Sequence, residues 1–114
     1  IGSGPGQGYT LNVPLAGGSA RQEVLGAFER KLVPAMREFK PDFVIISAGF
    51  DCEAGDPLGG LGLQEEDFVD LTRVMLQVAD EYAQGRLISV LEGGYRLEGL
   101  RKLYGAHVRT MVEA

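Results

Sequence analysis

The apolar residues of this chain change period from segment to segment, and each period predicts an element. Leu25, Phe28, Leu32, Met36 and Phe39 recur at steps of three and four, which places them on one stripe of a helix. Ser19 is a plausible N-cap for it, with Glu23 soon after. Pro34 falls inside the pattern and should kink the helix or force a new turn, and Pro41 ends it. Phe68, Leu71, Met75, Val78 and Tyr82 repeat the helical spacing. Glu65, Glu66 and Asp67 suit the positive end of that helix's dipole as a solvated first turn, and Gly85 closes it. Leu100, Tyr104, Val108 and Met111 mark a last helix from about Leu97, weakened slightly by Gly105.

Phe43-Val44-Ile45-Ile46 and Leu87 to Leu91 are near-continuous apolar runs of the kind that suits strands covered on both faces. Tyr9 to Leu15 reads as a short strand with Pro14 near its end, after an irregular stretch of alternating Gly2, Gly4, Gly6 and Gly8. The predicted order is βαβαβα. Helical crossovers between short buried strands imply an α/β fold on a parallel sheet with right-handed connections. No repeat, linker or low-complexity tract interrupts the pattern, so the 114 residues read as one domain.

Composition narrows the setting. Hydrophobic content of 45% and charged content of 24% are those of a globular domain. A net charge of −5 argues against a broad surface for nucleic acid or anionic membrane, and no apolar run is long enough to span a bilayer. The single cysteine, Cys52, excludes an intramolecular disulfide and favours a reducing, cytoplasmic setting. The first residue is Ile1 rather than Met, so the expectation is a processed chain or a piece of something longer.

Parallel sheets bind ligands beyond the carboxyl ends of their strands. Two loops occupy that edge: Ser47-Ala48-Gly49-Phe50-Asp51, running on through Asp56-Pro57-Leu58-Gly59-Gly60, and Leu91-Glu92-Gly93-Gly94-Tyr95. Asp51 is a carboxylate just past a buried strand, a suitable oxygen ligand for a cation. Tyr95 follows two glycines that allow close backbone approach, and its phenol can donate to a carbonyl or oxyanion. On spacing alone a plainer account stands beside this one: Asp51 starts a turn and Tyr95 packs.

The same segments resemble the histone deacetylase family. Pro41 to Asp51 followed by Gly55-Asp56-Pro57-Leu58-Gly59-Gly60-Leu61 is similar to the family's strand-and-loop motif. Gly85 to Tyr95 resembles its tyrosine motif, and Gly2 to Leu15 its upstream glycine-rich segment. The Leu-Glu-Gly-Gly-Tyr form is closer to class II-like and bacterial members, including acetylpolyamine and acetoin-utilisation proteins, than to class I enzymes. The resemblance implies a three-layer αβα fold with a mainly parallel sheet, of the arginase/deacetylase type. It implies a zinc amidohydrolase acting on acetylated lysine or polyamine. It matches Asp51 to a zinc ligand and Tyr95 to the carbonyl-polarising tyrosine. It matches Asp56, Pro57 and Leu58 to the loop shaping the substrate channel, and Gly93 and Gly94 to the glycines beside the tyrosine. Cys52-Glu53 departs from the Ala-His that many members carry.

The family's remaining zinc ligands and its histidine pair have no counterpart here. Residues 1–114 are therefore expected to be the C-terminal portion of a deacetylase-like domain, inactive alone. The alternative is a non-catalytic fragment or remnant that self-associates through an open sheet edge or binds a partner. A small nucleotide-binding module is a weaker third reading, since the glycine-rich start precedes a strand and does not fit Gly-x-Gly-x-x-Gly. His107 lies in register with the apolar stripe of the last helix and is expected to pack or face solvent. Gly17-Gly18-Ser19 is read as a turn and cap. Cys52 is read as a bystander among acidic neighbours. Glu92 is open between a buried partner to a ligand and a surface residue.

Overall fold

The computed structural model describes residues 1–51, 54, 56 and 60–114. Both apolar runs form strands, β1 at Val44–Ala48 and β2 at Leu87–Leu91. They pair in parallel, Val44 opposite Leu87 and Ala48 opposite Leu91. The helix between them is α3, Glu65–Tyr82, and the last helix is α4, Leu97–Val112. The β-α-β unit with a trailing helix is thus as the periodicity predicts.

The first helical pattern divides at Pro34. Helix α1 covers Arg21–Ala27 and α2 covers Val33–Phe39, with a π-helical turn at Phe28–Leu32 between them. Proline has no N–H to return to the preceding turn, so the chain widens there. The Val33 N–H reaches back to the Phe28 carbonyl, and Pro34 sits in the first turn of α2, where a missing donor costs nothing. Lys40 then takes a left-handed conformation (φ 56°) and Pro41 bars continuation. Helix α3 ends in the same manner: Gln84 and Gly85 both have positive φ, and the Gly85 N–H donates to the Ala79 carbonyl at 2.9 Å.

Three local expectations are corrected. Tyr9 to Leu15 forms no strand. A strand needs a ladder partner, and among the described residues the sheet contains β1 and β2 alone. The segment is exposed, with the Tyr9 ring set edge-on to Phe39. Ser19 does not cap α1: its hydroxyl donates to the Ala16 carbonyl at 2.7 Å, and Ala20 takes the cap position. Asp67 is buried rather than solvated. It accepts the Gln64 N–H at 2.8 Å and pairs with Arg21 at 2.8 Å, while Arg21 also meets Asp70 at 2.7 Å. These contacts tie α1 to the start of α3.

The core lies on one face of the sheet. Val24, Ala48, Phe50, Leu63, Phe68 and Leu103 form one cluster, and Val44 with Ala79 and Ala83 a second. Each large side chain so buried contributes roughly 1.5–3 kcal/mol. The opposite face, carrying Ile45, Ile88 and Val90, is open to solvent at 68%, 51% and 48% exposure. No helix of the described residues is long and apolar enough to cross a membrane.

Candidate active site at the strand ends

The sheet's hydrogen bonding continues beyond both strands and brings the two conspicuous loops together. The Glu92 N–H donates to the Ala48 carbonyl at 2.9 Å, and the Phe50 N–H donates to the Gly93 carbonyl at 2.8 Å. Phe50 is buried and packs on Phe68, Tyr104 and His107, with ring centroids 5.3, 6.3 and 5.6 Å away. That anchor fixes the backbone on which Asp51 stands.

The Asp51 carboxylate lies between two glycines. A Cβ placed on Gly49 would sit 3.1 Å from Asp51 Oδ1, and one on Gly93 would sit 3.1 Å from Asp51 Cγ. The missing side chains are what let the second loop close onto the carboxylate. Gly94 has φ 146°, and a Cβ there would lie 2.6 Å from Leu100 Cδ1 on α4. Tyr95 follows directly, its side chain half exposed at 50%. Asp51, Gly93, Gly94 and Tyr95 are therefore held in one neighbourhood.

Asp56, expected in the channel-shaping loop, is buried at 9% exposure. Its Oδ2 accepts the Tyr95 N–H at 2.8 Å and the Arg96 N–H at 3.3 Å. This carboxylate joins the loop after β1 to the loop after β2 just where α4 begins. Pro57 and Leu58, and likewise Cys52 and Glu53, lie outside the described residues. Glu92 is exposed.

The model for the histone deacetylase domain matches residues 1–111. The chain belongs to the histone deacetylase family. It is 41% identical over 114 residues to histone deacetylase 18 of Arabidopsis thaliana, covering 99% of this chain and 16% of that protein. It is 45% identical over 100 residues to the chloroplastic histone deacetylase 10 of Oryza sativa subsp. japonica, covering 88% and 23%. A histone deacetylase-like amidohydrolase of Pseudomonas aeruginosa is 38% identical over 95 residues, covering 83% and 25%. The crystal structure of the HDA15 HD domain superposes with a TM-score of 0.91 at 34% identity, over 99% of this chain and 31% of that one. The deacetylase-family chain thus spans a quarter or less of the length of these three curated relatives. Its α/β architecture with a parallel sheet is that of the deacetylase domain, with the described helices against one sheet face.

Members of the family are generally zinc-dependent. A catalytic zinc takes three protein ligands. Among the described residues of this deacetylase-family chain, no three His, Cys, Asp or Glu side chains converge to hold a metal ion. The described side chains do not by themselves fit a complete zinc site.

His107 has a packing role. It is 4% exposed, with Nδ1 2.8 Å from Thr72 Oγ1 and Nε2 2.8 Å from Ser89 Oγ. The Thr72 hydroxyl already donates to the Phe68 carbonyl at 2.6 Å, so it accepts from the imidazole. Nδ1 therefore carries the proton, and Nε2 of the neutral ring accepts from Ser89. Burial holds the imidazole below its ordinary pKa. His107 joins α3, β2 and α4 beside Phe50.

An apolar cavity of about 570 Å³ runs along β1 between Phe28, Met36, Ile46 and Phe68. Neither Asp51 nor Tyr95 lines it. It follows the edge of β1 that pairs with no strand among the described residues.

Proposed function

We propose that this chain is the tyrosine-bearing portion of a zinc-dependent deacetylase acting on acetylated lysine or polyamine. Tyr95 donates its phenolic hydrogen to the acetyl carbonyl oxygen as negative charge develops there. Asp51 would supply one oxygen ligand to a zinc ion, with the other ligands and the histidine pair coming from sequence outside these residues. Gly93 and Gly94 keep the backbone between the two groups thin. The observation that carries this reading is the contact of the Asp51 carboxylate with Gly93, two positions before Tyr95, inside a chain that the histone deacetylase domain matches.

Calorimetric titration of zinc into the chain, beside Asp51→Asn, tests the division of the site. The expected result is weak or absent binding by both and no hydrolysis of an acetyl-lysine peptide. Tight stoichiometric binding that Asp51→Asn removes would show that the chain assembles a metal site unaided.

A second reading is favoured by the sheet itself: the chain self-associates. In the parallel register, Val44, Ile46 and Ala48 turn their backbone groups toward β2, so those of Ile45 and Ser47 face the other edge of β1. That edge and the exposed Ile45, Ile88 and Val90 offer a surface for a second strand. Light scattering across a concentration series should show mass rising with concentration. A constant monomer mass contradicts this reading and leaves the first untouched.

A further inference from the structure

The glycines before Tyr95 create a positioning problem that Asp56 solves. Gly94 sits at φ 146°, a conformation that side-chain-bearing residues rarely adopt, and it forms a pivot immediately before Tyr95. On the upstream side the loop is fastened by the Glu92 to Ala48 and Phe50 to Gly93 hydrogen bonds. These bonds stop short of the pivot and cannot set the direction in which the Tyr95 ring leaves the backbone. Tyr95 is itself half exposed.

Downstream of the pivot the fastening is Asp56. Its buried Oδ2 accepts from two successive amides, Tyr95 at 2.8 Å and Arg96 at 3.3 Å. A carboxylate accepting backbone N–H groups makes stronger, shorter hydrogen bonds than a neutral acceptor. It also stands at the N-terminal end of α4, where the helix dipole favours negative charge. The same residue belongs to the loop that begins at Asp51, so it couples the tyrosine's backbone to the loop carrying the proposed ligand.

We infer that Asp56 is a positioning residue for Tyr95, holding the backbone beyond the Gly93-Gly94 pivot so that the phenol points in one direction. What the phenol does there rests on the deacetylase reading; that Asp56 aims it does not. The contact spans 39 residues of sequence and joins the loop after β1 to the segment after β2.

Amide hydrogen exchange on the 114-residue chain, unmodified and as Asp56→Asn, tests the inference. In the variant the Tyr95 and Arg96 amides should exchange about tenfold faster or more, while those of Phe50 and Glu92 keep their protection. The Tyr95 ring resonances, assigned through Tyr95→Phe, should shift toward those of a freely rotating tyrosine. Unchanged exchange at Tyr95 and Arg96 overturns the inference, and so does a uniform rise across the chain, which would make Asp56 a general stabiliser. If Asp56→Asn does not fold, the unmodified chain still decides: a through-hydrogen-bond coupling between the Tyr95 amide nitrogen and the Asp56 carboxylate carbon is expected, and its absence overturns the inference. None of these readouts uses turnover, so a loss of the deacetylase reading would be seen separately, as activity that ignores Tyr95→Phe.

Discussion

The Asp51 carboxylate packs against the bare Cα of Gly93, so closely that a Cβ at Gly93 would sit 3.3 Å from each of its oxygens. This contact between the ends of two neighbouring strands turns a turn-forming aspartate into a defined group beside a tyrosine loop. Gly93→Ala should push the two loops apart by a few tenths of an ångström and destabilise the chain by about 1 kcal/mol through overpacking. Denaturant unfolding measures the loss, and the carboxylate carbon shift of Asp51 reports the displacement. A variant with native stability and an unmoved Asp51 resonance would show that the contact is loose.

Gly94→Ala is predicted to be worse. The new side chain meets Leu100 at 2.6 Å, and φ 146° is strained for any residue with a Cβ. The expected cost is about 2–3 kcal/mol. Truncating the neighbour separates the two causes: measured against Leu100→Ala alone, Gly94→Ala in that background should lose its steric cost and keep the backbone strain. Full recovery in that double variant would mean strain contributes nothing.

His107 predicts the acid limb of the stability profile. Burial lowers its folded pKa below the unfolded 6.5, so above pH 6.5 the imidazole is neutral in both states and its full contribution is present. As pH falls through 6.5 the unfolded chain takes up a proton that the folded chain refuses, and stability declines until the folded pKa is reached. The slope in that window is at most about 1.4 kcal/mol per pH unit for one proton. Unfolding free energy measured from pH 7.5 to 5 should show the decline, and His107→Gln should flatten it. An identical slope in the variant would assign the decline to other groups.

Much of this architecture is legible in sequence because it rests on local period. The stripe from Phe68 to Tyr82, the β-branched run at Val44 to Ile46 and the break at Pro34 each act through their own neighbours, and each appears where the spacing puts it. The pairing of Asp51 with the Gly93-Gly94-Tyr95 loop follows from two parallel strands ending at the same edge. The misreadings concern partners. Tyr9 to Leu15 carries a strand's composition, yet nothing in its own residues says whether a free sheet edge lies alongside. Asp67 looks like an exposed first-turn acid because the residue that covers it, Arg21, is 46 positions away. The hold of Asp56 on the Tyr95 amide spans 39 positions and has no local signal beyond an acidic residue in a long loop.

The most direct measurement of the central claim is deacetylation by a chimera. The 95-residue stretch of this chain that matches the Pseudomonas aeruginosa histone deacetylase-like amidohydrolase replaces its counterpart in that protein, and Tyr95→Phe is compared with the unmodified chimera on an acetyl-lysine peptide. The account predicts turnover by the chimera and a fall in kcat of about 100-fold or more in Tyr95→Phe, at unchanged unfolding temperature, as for loss of an oxyanion donor. A folded, active chimera whose kcat is the same with phenylalanine at that position would contradict it.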